Sequence, residues 1–139
     1  NGGSCDWHMQ LSPANLADNV TIDGSLMEAW SYRGRPPGNQ HGHTTTQTVF
    51  WNTRGVRYSP HIYYDRGHDF IIDSNQYGIG YIIGTRGPAP DVRVDAPANH
   101  GLYGHDATPE WVEGVGDGAT LVPQSLYLDQ LQRRIGSQP

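Results

Sequence analysis

The chain has 139 residues, enough for one domain with a moderate core. Only 17% of them are charged, the formal net charge is −5 and no basic cluster is present, which argues against binding through a nucleic-acid backbone. No apolar stretch approaches the ~18 residues of a membrane-spanning helix, and without lysine the chain has no Schiff-base residue of its own.

The chain opens on Asn1-Gly2-Gly3-Ser4 and reaches its first β-rich run within twenty residues. This opening is expected to follow a preceding segment, carried on a separate chain from a cleaved precursor or on a neighbouring subunit. Cys5 is the only cysteine, so no disulfide forms within the chain, and a buried or free thiol is expected.

Four short runs rich in β-branched and aromatic residues follow: Asn19–Asp23, Thr48–Asn52, Asp69–Asp73 and Gly80–Gly84. Turn residues come directly after each, as strands bounded by Gly, Asn and Asp require. Val20 to Val49 is 29 residues and Val49 to Ile82 is 33. A period in this range predicts stacked repeats, here coils of a parallel β-helix. Asp23-Gly24, Asn52 to Gly55 and Thr85-Arg86-Gly87 are its expected equivalent corners. A β-sandwich is the alternative architecture.

Residues 88–120 are rich in Gly, Pro and Asp and read as a long loop laid over the scaffold. Pro123 to Gly136 reads as the one good helix. Leu128, Leu131 and Ile135 share a face, Arg133 and Arg134 suit its last turn, and Gly136 can cap it. Such a helix is expected to cap an open solenoid end, which otherwise exposes unpaired strand edges. The expected organisation is β-helix coils over 1–87, with 88–139 as the extended tail and capping α-helix of the same domain.

Several segments carry a resemblance. Asp6-Trp7-His8 through Asp18-Asn19-Val20 is similar to a histidine-led segment that enters an Asp-Asn-Val strand in right-handed parallel β-helix proteins of the pectate-lyase superfamily. His41-Gly42 before Val49-Phe50-Trp51-Asn52 resembles the next coil of those proteins. Gln76-Tyr77-Gly78-Ile79-Gly80 and the ending from Val122 to Leu131 fit as well. The match is to the C-terminal part of such proteins. Pro36 to Gln40 and Tyr58 to His68 depart from the pattern. The resemblance implies an all-β, right-handed parallel β-helix solenoid. It also implies a secreted enzyme that cleaves polysaccharide.

The chemistry-bearing residues allow several readings. His41 and His43, two apart, share a face if they lie on a strand, which suits one metal. A closed zinc site needs three or four ligands, and His61, His68, His100 and His105 make no recognised zinc spacing, so no metal residue is assigned. Turn histidines bonded to backbone are one reading of the pair, and a catalytic or sugar-binding His41 is the other.

For a lyase acting by β-elimination on a uronic-acid glycan, a base takes a ring proton and an arginine neutralises the carboxylate. An acid then meets the leaving oxygen. His8, Arg33 and His41 are the candidate catalytic residues, with Tyr32 as the acid. Trp7, His43, Arg54, Tyr63 and Tyr64 are the candidate substrate contacts, with Trp51 expected in the core.

Asp65, Asp69 and Asp73 offer a rival, a glycoside hydrolase with paired carboxyls, although Asp69 and Asp73 also suit turns that bracket a strand. A bound Ca²⁺ is the one cofactor left open, with Asp91, Asp95 and Asp106 as weak candidates. The non-catalytic alternative is a glycan-binding or structural β-helix.

Overall fold

The computed structural model of the protein describes residues 3–8, 11–34, 40–60, 69–94 and 109–136. Short runs of β-branched and aromatic residues, cut by Gly, Asn and Asp, leave the chain few options except brief strands. It takes them in successive passes. The first contains β1 (Ser4–Asp6), β2 (Ser12–Pro13), β3 (Leu16–Asp18) and β4 (Thr21–Asp23). The second contains β5 (Leu26–Trp30), β6 (Tyr32–Gly34), β7 (Gln40–His43), β8 (Thr45–Thr46) and β9 (Val49–Arg57). The third contains β10 (Ile72–Asn75) and β11 (Tyr81–Arg86), and the fourth β12 (Val92–Arg93) and β13 (Trp111–Glu113). Helix α1 (Leu126–Gly136) ends the described chain.

Each pass adds to the same sheets. The first sheet has the order β1-β5-β10-β12, and all its pairs are parallel. The second has the order β3-β9-β11-β13, with β4 also on β9, again parallel throughout. A small parallel sheet joins β2 to β8. Among the described residues, the β6–β7 hairpin is the one antiparallel pair.

The register corrects the sequence reading of the repeat. Val49 pairs with Leu16 and Tyr81, and Tyr81 with Trp111, at steps of 33, 32 and 30 residues. Val20 is therefore not the partner of Val49. The chain bends just beyond these residues, at Asn19, Asn52, Gly84 and Gly114, with φ of 52°, 52°, 68° and 66°. Positive φ at matching positions bends successive passes alike. Glycine and asparagine are the residues that enter this region most readily. These four bends, rather than the three expected corners, are equivalent.

Alternation then sorts the side chains. Met27, Ile72 and Val92 form one inward column and Ala17, Phe50 and Ile82 another, and both meet in the apolar core with Ile22, Ile71 and Ala89. Cys5 starts the first column in register with Met27, but it is exposed, not buried. Asp73 lies inside β10 at 1% exposure and is held by the Arg93 guanidinium (Nε–Oδ1 3.2 Å), so it is no turn former. Arg93 also sits over the Phe70 ring, 4.2 Å from its centroid.

The C-terminal arm differs from its sequence reading. β12 and β13 extend both large sheets where a loop was expected. Past Gly114 the chain crosses the bend column. Gln124 accepts from Asn52 Nδ2 through its backbone and side-chain oxygens, each at 2.9 Å, and Pro123 O accepts from Trp51 Nε1 at 2.9 Å. Trp51 is thus half-buried beneath the arm rather than in the core. A Cβ on Gly84 would stand 2.9 Å from the Leu121 side chain, so the arm needs glycine there.

Helix α1 starts at Leu126, three residues later than expected, and buries no residue among those described. Its first turn is fixed to Asp18 of β3, in the first pass, so it starts at the opposite end of the second sheet from β13. No helix among the described residues is long and apolar enough to cross a membrane.

Candidate functional site

The hairpin that leaves the scaffold between β5 and β8 carries most of the candidate residues. Tyr32 of β6 pairs with His43 of β7, and Arg33 pairs with Gly42. The histidines expected in a turn are therefore on a strand, two apart, with Gly42 between them at φ 71°. Thr44 anchors the return. The Thr44 N–H donates to Ser31 O at 2.9 Å, and its hydroxyl to Trp30 O. The Thr45 hydroxyl is buried with no hydrogen-bond partner among the described residues. Leu11 N–H donates to His43 O at 2.8 Å and Tyr77 N–H to Thr45 O at 3.0 Å, so the first and third passes lock onto the base of the hairpin.

The rings meet across these passes. His8, from the first, lies edge-on to His41 with centroids 4.4 Å apart. His43 lies edge-on to Tyr32 at 5.4 Å, and Tyr77, from the third pass, meets it at a tilt with centroids 4.7 Å apart. The result is a row of His and Tyr rings spanning three passes, with His8, His43 and Tyr77 exposed.

One carboxylate orients His8. His8 Nδ1 is 2.7 Å from Asp6 Oδ2. Against an ionised carboxylate this nitrogen carries the proton, which leaves the lone pair of a neutral imidazole on Nε2. The pair can thus take a proton at Nε2 while Asp6 stabilises the imidazolium that forms. Asp6 and Tyr77 were missed as site residues. The i, i+2 spacing of Asp6 and His8 was a usable signal, whereas nothing local to Tyr77 points to His43.

Of the candidates, His8, His41, Tyr32 and His43 come together. The Arg33 backbone is beside them, and its side chain lies outside the described residues, as do Tyr63 and Tyr64. Arg54 sits past the Asn52 bend on another sheet, in register with Thr21 and Arg86. Trp7 packs edge-on against Phe50, centroids 5.7 Å apart, and borders the core rather than a groove. Asp65 of the carboxylate series lies outside the described residues, and Asp73 is committed to Arg93. No three His, Cys, Asp or Glu side chains converge as metal ligands among the described residues. Asp95 and Asp106 lie outside them, and Asp91 accepts from the Tyr58 hydroxyl.

A second polar group lies inside the scaffold, and no local motif marks it. Buried Gln76 accepts from Thr48 N–H at 2.7 Å through Oε1, and its Nε2 donates to Ser74 Oγ at 3.0 Å. Glu110 accepts from Gln76 N–H at 2.7 Å and from the Ser74 hydroxyl at 3.1 Å. Burial pushes the Glu110 carboxyl above the usual range, against the opposing pull of these donors. Gly80 makes the room: a Cβ there would stand 1.8 Å from Gln76 Nε2 and 2.1 Å from Glu110 Oε2.

No family model matches the chain, and neither a curated protein nor a solved structure matches it.

Proposed function

We propose that the passes are coils of a right-handed parallel β-helix and that the chain is part of a carbohydrate-active enzyme, a lyase on a uronic-acid glycan. The parallel order repeated in both large sheets supports the coils, and crossovers between parallel strands are right-handed in ~98% of cases. The partner is an extracellular polysaccharide. A preceding β-helix segment would stack on β1 and β3, which end their sheets among the described residues.

The observation that carries the enzymatic reading is the Asp6-oriented His8 against His41, in a row with Tyr32, His43 and Tyr77. Histidines scattered over separate bends would favour a scaffold, but these three gather at one hairpin, with His8 and His43 exposed and His41 half-buried. In the proposed reaction, His8 Nε2 takes the proton from the carbon beside the uronate carboxyl. The released electron pair forms the ring double bond, and the bond to the leaving glycosidic oxygen breaks. Tyr32 gives that oxygen its proton. His41 holds the sugar beside His8, and Arg33 is assigned to the carboxylate. Ca²⁺ is the one cofactor left open; if bound, it would supply positive charge, and no ligand set for it converges beside the histidines among the described residues, so no step is routed through it.

The test is incubation with acidic and neutral polysaccharides while following the ultraviolet absorbance of unsaturated uronates. The reading expects that signal from an acidic glycan and its loss in His41→Ala with folding intact. Reducing ends released from a neutral glycan, with no absorbance change on any acidic one, would replace the lyase by a hydrolase.

A further inference from the structure

We propose a separate sugar-binding platform on the outer face of the second sheet, formed by Tyr81 and Trp111 and taking the ring faces of a neutral pyranose glycan. Ala17, Phe50 and Ile82 point inward along this sheet. Their neighbours Leu16, Val49, Tyr81 and Trp111, in one register row across four strands, therefore point outward. Leu16 is 40% exposed, Tyr81 38% and Trp111 58%. A solvent-facing row is normally polar, and this one is apolar at every strand.

The two aromatics are register partners on neighbouring strands, about 4.8 Å apart along the sheet. The indole N–H of Trp111 donates to Glu113 Oε2 at 3.2 Å, which orients that ring. Size selects the occupant. Tyr and Trp bury roughly 150–250 Å² each, so at these exposures the pair offers only about 200 Å², against the ~800 Å² per partner of a stable protein interface. An area that small suits a sugar ring or two. The Tyr81 hydroxyl and the Glu113 carboxylate supply partners for sugar hydroxyls at the rim. The Glu113 charge repels a uronate, so the platform favours neutral sugars. This reading is independent of the cleavage chemistry proposed for the histidine row.

The test is calorimetric titration of the full chain with neutral hexasaccharides of glucan, xylan and mannan type and with an oligouronate. The intact chain and the His41→Ala variant should bind a neutral hexasaccharide equally, which separates this site from the histidine row. Tyr81→Ala/Trp111→Ala should weaken that binding by about tenfold or more with an unchanged melting temperature, and Trp111→Phe should retain most of it. Absence of neutral-sugar binding by the intact chain overturns the proposal, as does unchanged affinity in the double variant. Light scattering that finds a dimer dissolved by the double variant would identify a second copy as the occupant instead.

Discussion

Asp18 accepts the backbone N–H of Leu126 at 2.8 Å, so a carboxylate on the first pass caps a helix more than a hundred residues away. The Ser125 hydroxyl also donates to Asp18 and accepts from Leu128 N–H at 3.1 Å, which completes the cap. α1 buries no residue among those described, so this cap is one tether that holds its first turn. Asp18→Ala should cost ~1 kcal/mol and lower helical circular dichroism while the sheet signal persists. A helix signal equal to the parent's would mean that other contacts hold α1.

The Asp6–His8 pair predicts a graded loss of activity. His8→Ala removes the proposed base and should lower the rate roughly 10²–10⁴-fold. Asp6→Asn keeps the shape but releases the tautomer, and a loss of about tenfold or more is expected. Nitrogen chemical shifts of the His8 imidazole report the tautomer without any substrate. Were they unchanged in Asp6→Asn, Asp6 would have no positioning role.

Gly80 is set by space, since its φ is not in the left-handed region. Gly80→Ala drives a methyl into Gln76 and Glu110 and should destabilise the fold by about 1–3 kcal/mol, read by urea unfolding. Its effect should shrink in a Gln76→Ala background, where the colliding amide is gone. Equal losses in both backgrounds would place the strain elsewhere.

Glu110 predicts the sign of a pH dependence. Its folded carboxyl is raised by burial, so the native state holds the proton more tightly than the unfolded state does. This group's contribution to stability is therefore complete at low pH. It declines as pH rises from the ordinary carboxylate value of 4.5 through the raised one. As pH rises above 4.5, the parent should lose more stability than Glu110→Gln. Parallel curves for the two proteins would remove Glu110 as the source.

The strands could be read from local signals. Val49-Phe50-Trp51 and Tyr81-Ile82-Ile83 are β-rich runs, and both became strands. The repeat was legible only as a period, because its register depends on which residue aligns with which. Leu16 precedes the bend as Val49 does, but Val20, more apolar in its surroundings, drew the alignment. Strands β12 and β13 were missed for a related reason. Their stability comes from pairing with β10 and β11, not from the Gly- and Pro-rich sequence around them. For the site, the His41/His43 pair was visible as an i, i+2 spacing on one strand.

The sequence by itself determined the β-rich character, the helix with its basic last turn, and the histidines and tyrosines worth watching. These follow from composition and from side-chain periodicity, which act over a few residues. Tertiary structure decided the rest: that Asp6 orients His8, that Tyr77 reaches His43, that Trp7 and Asp73 serve packing and charge pairing, and that Tyr81 and Trp111 stand together in solvent. Each joins residues brought side by side by strands from different passes, except Asp6 and His8, whose two-residue spacing was readable. Parallel pairing sets that adjacency, and one residue of slip in register would turn every side chain to the other face.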